Sequence, residues 1–262
     1  MTEFVQNTAR PKSASPTSTT ARSSKNATDR ASTPPATQSA AQSAAQAGVP
    51  RTATAVKRRW TAKQVGRIKP LIFLLCLIPF LRWFYLGYTD GLTANPVEFI
   101  TRSSGFWTLA MLLLTLSVTP VRQMIDQPAL VRIRRMLGLF SFFYVVLHLL
   151  TWVVLDRNMD INSMITDVLD RTFIFVGMAA FLLMLPLALT STQGWMRRLG
   201  MNWTRLHKCI YLIGCLGIIH FWLMRAGKNN FSEPILYGSI LAALLLWRVG
   251  RSWWHRRRLA AA

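Results

Sequence analysis

The chain has 262 residues, 52% of them hydrophobic, with 31 Lys+Arg against 10 Asp+Glu and a net charge of +21. That length would suit one or two soluble domains, and that charge alone would suggest a nucleic-acid binder. The distribution argues against both a soluble enzyme core and nucleic acid. Beyond position 59 the basic residues sit in short clusters between long apolar runs, the pattern of a polytopic membrane protein.

Residues 1–59 hold 40 Ala, Ser, Thr, Pro or Gln and a single aromatic, Phe4. So little apolar surface cannot offset chain entropy, and the segment reads as a disordered tail. It lacks the apolar core and cleavage site of a signal peptide, and Arg58-Arg59 is not closely followed by an apolar stretch. Residues 60–255 form the membrane domain, and 256–262 form a basic C-terminal tail. Within the domain, apolar segments fall at approximately 70–88, 105–121, 136–155, 172–190, 207–224 and 235–250. Each approaches the ~20 residues needed to cross the hydrocarbon of a bilayer. Pro79 and Pro186 lie inside two of them, as membrane helices tolerate. The expected fold is all-α: a six-helix transmembrane bundle.

Charge in the connections predicts orientation. Residues 57–69, 122–135, 193–208 and 248–262 carry +6, +3, +4 and +5, whereas 89–104, 156–171 and 225–234 carry −1, −2 and +1. By the positive-inside rule both termini are cytoplasmic, in a bacterial inner membrane. Asp156, Asp160, Asp167 and Asp170 make the second outer loop acidic, suited to steering a partner with a basic patch. Cys76, Cys209 and Cys215 lie in or beside apolar runs without a CxxC, so they read as buried thiols rather than as disulfide or zinc ligands.

Of four histidines, His148, His207 and His220 fall in or at the edge of the third and fifth segments, where an ionisable group is a functional hypothesis by default. His148 lies 12 residues into its segment and His220 lies 13 into its own, and both segments run outward. At ~1.5 Å per residue the two share one depth in the outer half of the bilayer. Two histidines so matched can hold a haem iron through both axial positions, between the third and fifth helices. The competing reading is two separate helix-packing histidines. His207 sits about 20 Å nearer the cytoplasm, and a 13-residue step turns it ~140° from His220 on an ideal helix. Either the helix tightens there or His207 occupies an irregular first turn. A second, inner haem between His207 and the level of Arg134 would follow if it faced the same seam; otherwise His207 contacts phosphate groups at the interface. His255 reads as an interfacial anchor.

Three blocks carry a family resemblance. Arg134-Arg135-Met136-Leu137-Gly138-Leu139, followed by His148, is one. Leu189-Thr190-Ser191-Thr192-Gln193 with Arg198-Leu199-Gly200, Trp203, Leu206-His207, Tyr211-Leu212 and His220 is the second, and Gly91-Leu92-Thr93-Ala94-Asn95-Pro96 is the third. Over roughly 60–255 the chain resembles the ferric-reductase-like transmembrane proteins, and among them the haem-binding membrane subunits of periplasmic methionine-sulfoxide reductase systems. The resemblance implies b-type haem, one or two per chain, and an associated FMN. It also implies electron delivery to a soluble periplasmic molybdopterin-dependent reductase that repairs methionine sulfoxide in oxidised proteins. Related NADPH-oxidase-type reductases hold two stacked haems through two histidines on each of two helices; here Arg134 stands where the inner histidine of the third helix would be.

No GxGxxG follows a strand, so the chain has no flavin or nicotinamide domain of its own. Electrons would come from the quinone pool or from a cytoplasmic flavin reductase. Arg82 either snorkels to the interface or pairs with a haem propionate. Arg197, Arg198, Arg205 and Lys208 serve first as an orientation signal and would also attract the phosphate of FMN or an acidic electron donor. Two other functions compete with electron delivery to a partner. One is a stand-alone membrane haem reductase acting on ferric iron or quinone; the other is a haem-free transporter or assembly factor, against which no inverted repeat is visible.

Overall fold

The structure, a computed structural model, describes residues 60–227 and 229–260. The tail read over 1–59 lies outside the described residues. Six helical stretches among the described residues are long and apolar enough to cross a membrane: Lys63–Tyr88, Pro96–Met124, Pro128–Asp156, Thr172–Leu189, Met201–Ala226 and Ser232–Ala260. The chain is a multi-pass, all-α membrane protein.

Local chemistry sets where the helices begin. Helix α1 (Ala62–Tyr88) starts eight residues before its apolar run. A capping box fixes it there: the Thr61 hydroxyl accepts from the Gln64 N–H and the Gln64 side chain accepts from the Thr61 N–H. In α2 (Pro96–Met124), Asn95 caps the Glu98 N–H and Pro96 presets the first turn. A 3-10 turn, Pro128–Leu130, leads into α3 (Val131–Leu150), which continues without a break as a π-helical turn over Thr151–Asp156.

The two stretches read as loops contain helices. Residues 156–171 hold α4 (Ile161–Asp170), capped by the Asp160 carboxylate, which accepts from the Asn162 N–H at 3.1 Å. Residues 193–208 hold α6 (Gln193–Leu199), capped by Thr192, and α7 (Met201–Leu206). Gly200, at φ +51°, separates those two in a backbone conformation that favours glycine. Helix α5 is Thr172–Leu189. A 3-10 turn, His207–Cys209, precedes α8 (Ile210–Ala226), and α9 (Ser232–Ala260) ends the described chain, extending through most of the basic C-terminal segment.

Helix α2 is apolar on nearly every face, and such a helix belongs in the centre. Successive residues serve different neighbours. Met111 packs with Val65, Cys76, Ile133, Leu137, Phe140 and Tyr144 on α1 and α3. Leu112 packs with Met184, Leu187 and Ile213 on α5 and α8, while Leu109, Leu113 and Leu116 meet Leu241 on α9. Large apolar side chains such as Leu71, Leu81, Phe84, Leu182 and Leu246 remain exposed on the spans, where hydrocarbon would cover them. Tyr144 is fully buried one turn before His148 and donates its hydroxyl to the Cys76 carbonyl at 2.7 Å. That bond lies in the part of α1 that Pro79 disrupts, and it ties the first span to the third.

Candidate functional site

Helices α3 and α8 bring His148 and His220 face to face, with ring centroids 6.1 Å apart and planes at 83°. Each ring is oriented by a third helix. The Nδ1 of His148 lies 2.9 Å from the Thr101 carbonyl and 3.2 Å from the Ser104 hydroxyl, both on α2. Because the Ser104 hydroxyl itself donates to Thr101, the proton on Nδ1 is shared with backbone oxygen. The Nδ1 of His220 lies 2.6 Å from the Phe173 carbonyl in the first turn of α5. A carbonyl accepts only, so Nδ1 is the protonated nitrogen in each ring, and each Nε2 keeps its lone pair. Ligating histidines carry this second hydrogen bond almost without exception.

The rings fit only because glycines face them. A Cβ on Gly105 would stand 3.1 Å from Cε1 of His148, and one on Gly177 would stand 2.8 Å from Nδ1 of His220. The pair therefore occupies a cradle of two glycine faces and two backbone acceptors. The two imidazoles, 6.1 Å apart centre to centre, are the residues that would hold a haem, which would supply a redox-active iron. Among the described residues no group of three or more His, Cys, Asp or Glu gathers to hold a bare ion. Two histidines, rather than a larger donor set, would suit a group that brings its own remaining ligands, such as haem.

His207 is elsewhere. It opens the 3-10 turn before α8, stacks on Trp203 with centroids 3.9 Å apart, and its Nδ1 lies 3.0 Å from the Trp203 carbonyl. Trp203 is in turn held by its indole N–H to the Thr190 carbonyl at 2.9 Å. The Nε2 of His207 is buried without a partner. Arg248 donates to the Tyr211 hydroxyl at 2.6 Å and to the Leu116 carbonyl at 2.9 Å. It joins α9 to α8 and α2 at the basic end of the bundle, a role that its flanking position in the sequence hid. Arg198 lies over the Trp195 ring, 5.6 Å from its centroid. Arg82 and Arg205 are exposed.

The acidic loop is not free to act as four carboxylates. Asp167 is 7% exposed and pairs with Arg157 at 2.5 Å and Arg171 at 3.3 Å. Arg157 directly follows the π-helical turn that extends the His148 helix, and Arg171 caps the helix whose Phe173 holds His220. One buried carboxylate thus fastens the supports of both histidines. Only Asp156, which pairs with Arg157 at 3.2 Å, and the exposed Asp160 and Asp170 remain at the surface.

Residues 104–218 match the family described as ferric reductase like transmembrane component, a stretch that includes His148 and His207. A protein-methionine-sulfoxide reductase heme-binding subunit MsrQ from Bordetella pertussis is 60% identical over 200 residues, covering 76% of this chain and 97% of the relative. The protein of that name from Herminiimonas arsenicoxydans is 48% identical over 196 residues, covering 74% and 90%. The one from Caulobacter vibrioides is 42% identical over 206 residues, covering 78% and 95%. No solved structure matches. With near-complete coverage of relatives at this identity, the chain belongs to the MsrQ family of ferric-reductase-like transmembrane proteins.

Proposed function

We propose that this protein is a haem-binding membrane subunit that passes electrons from the quinone pool or a cytoplasmic flavin reductase to a periplasmic, molybdopterin-dependent methionine-sulfoxide reductase. The facing pair His148 and His220 carries the reading, since each Nδ1 is committed to a backbone acceptor and each Nε2 is left free to ligate. When bound between them, haem b supplies a one-electron iron couple. The chain's own residues do the rest. Ser104, Thr101 and Phe173 set tautomer and ring orientation, and the apolar spans keep water from the rings.

Orientation in the bacterial inner membrane, with both termini cytoplasmic, rests on the alternation of four basic and three near-neutral connections. In that orientation the pair lies toward the periplasm, and electrons leave outward. His207, its Nε2 buried at the basic end of the bundle, is the candidate for an inner ligand or for a contact to propionate or phosphate. Arg198 and Arg205 are exposed on α6 and α7, where they would meet the phosphate of FMN or an acidic electron donor. No step is assigned to a flavin.

The decisive experiment is the absorption spectrum of the purified protein with its histidine variants. His148→Ala and His220→Ala should each abolish the main haem signal or turn it high-spin, and His207→Ala should change it less. Near-normal haem in both of the first two variants would refute the site. Reoxidation of the reduced protein by the periplasmic reductase, without turnover of ferric iron or quinone, separates an electron-delivering subunit from a stand-alone reductase.

A further inference from the structure

We propose that α4 is an interfacial helix whose Ile161, Ile165 and Leu169 stripe lies in the lipid boundary at the end of the bundle opposite the basic clusters. The inference uses the spans alone and stands apart from the haem reading.

Around α4, at about 100° per residue, side chains divide into three sectors. Asp167 is buried, and Met164 and Val168 beside it are half-buried against the protein. Asn162, Thr166 and Asp170 form an exposed polar sector. Between these lie Ile161, Ile165 and Leu169, which are 65%, 55% and 72% exposed. At successive intervals of four residues they make one continuous apolar strip within about 80° of arc. A helix between protein and water needs only two sectors. The third faces neither, and large aliphatic side chains left that exposed require an apolar covering.

Bilayer is the covering that the chain itself specifies. The third span ends at Asp156 and the fourth begins at Thr172. Only residues 157–160 precede α4 and only Arg171 follows it, a tether of roughly 14 Å even when extended. The helix is therefore held at the hydrocarbon boundary. The adjoining ends of the two spans also show exposed Val154, Leu155 and Phe175, and Met159 in the tether is exposed as well. A helix with one apolar and one polar face at that level lies along the interface, its apolar side sunk to the acyl boundary. The ion pairs of Asp167 to Arg157 and Arg171 set its rotation so that the stripe meets lipid while Asn162, Thr166 and Asp170 meet water.

Nitroxide labels placed singly by Ile161→Cys, Asn162→Cys, Ile165→Cys, Thr166→Cys, Leu169→Cys and Asp170→Cys test this in the full chain. The background replaces Cys76, Cys209 and Cys215 by Ala, and the protein is reconstituted in phospholipid nanodiscs. Labels at 161, 165 and 169 should relax preferentially with oxygen, and those at 162, 166 and 170 with a water-soluble nickel chelate. Equal ratios at all six positions would overturn the proposal. So would a stripe open to the chelate that becomes shielded only when a soluble reductase is added, which would make it a protein-docking face. If the cysteine-free chain does not assemble, photolabelling of the wild-type chain by a diazirine phospholipid serves instead. Adducts on Ile161, Ile165 or Leu169 support the seat, and adducts absent from 161–169 but present on Phe175 refute it.

Discussion

His148 and His220 stand out in the sequence because charge-capable side chains in apolar spans are costly and rare. Their orienting partners do not, because the acceptors on Thr101 and Phe173 are backbone carbonyls that any residue would offer. Gly105 and Gly177 gave no such signal on their own, since an isolated glycine inside an apolar helix does not say which neighbour it admits. The structure gives each a definite task, and Gly177 has the tighter one. A methyl group there would meet His220 at 2.8 Å, closer than packed carbon tolerates, and the neighbour is a ring already fixed by a 2.6 Å hydrogen bond. Gly177→Ala should push the imidazole away from Phe173 at a cost of about 0.5–1.5 kcal/mol for the lost bond. The expected spectrum is a mixed or high-spin haem in a protein that still inserts. Ser104→Ala should perturb the spectrum less than Gly177→Ala, because Thr101 still accepts from Nδ1 of His148 when the hydroxyl contact is lost. Equal spectra for Gly177→Ala and the wild type would show that the ring has room the structure denies it.

Helices reveal which parts of a span pattern can be read. Apolar runs mark the hydrocarbon-crossing core of each helix but not its ends, because capping and tertiary support decide those. Thr61 and Gln64 start α1 well inside a basic segment, and the Pro128–Leu130 turn starts the third span before its apolar run begins. Of the two alternatives at His207, a tightened helix or an irregular first turn, the chain forms a 3-10 turn ahead of α8, and the ring settles on Trp203. Helix α4 is hidden because the four aspartates of 156–171, only two of them inside it, dominate the composition of the segment, whereas its Ile161, Ile165 and Leu169 recur at helical spacing. Asp167 does more within that helix than its charge suggested. It bridges Arg157 at the end of the His148 helix to Arg171 at the start of the His220 support. Asp167→Asn would leave Arg171 without its carboxylate and Arg157 with Asp156 alone. Arg171 is half-exposed and recovers much of its solvation, so the loss should be about 1–3 kcal/mol rather than that of a fully buried pair. It should appear as a lower thermal midpoint in detergent together with a broadened low-spin signal. A lower midpoint with an unaltered haem signal would confine Asp167 to stability alone.

At the scale of the molecule, the basic end and the histidine end have separate duties, and truncation tests the first. Lys57, Arg58, Arg59, Lys63, Arg67 and Lys69 lie beyond residue 55 and still mark the start of the first span. Deleting residues 2–55 should therefore leave insertion and haem loading unchanged, as membrane fractionation and absorption would show. In the proposed orientation the opposite end carries the exit for electrons, and its chemistry differs from the charge count of its loops. Asp167 is consumed internally and the apolar stripe of α4 faces lipid, which leaves Asp156, Asp160, Asp170 and the polar sector of α4 for a soluble partner. Charges on such a rim act on encounter more than on the final complex, so their signature is an association rate that falls with added salt. Replacing these three aspartates by Asn keeps the Asp167 bridge, and Asn at 160 still caps α4. At low salt the triple variant should reduce the periplasmic reductase several-fold more slowly than the wild type, with the two rates converging as ionic strength rises and the haem spectrum unaltered throughout. Equal rates at every ionic strength would remove electrostatic docking from this face and leave contact through the polar sector of α4 and the 89–104 and 225–234 loops to account for recognition.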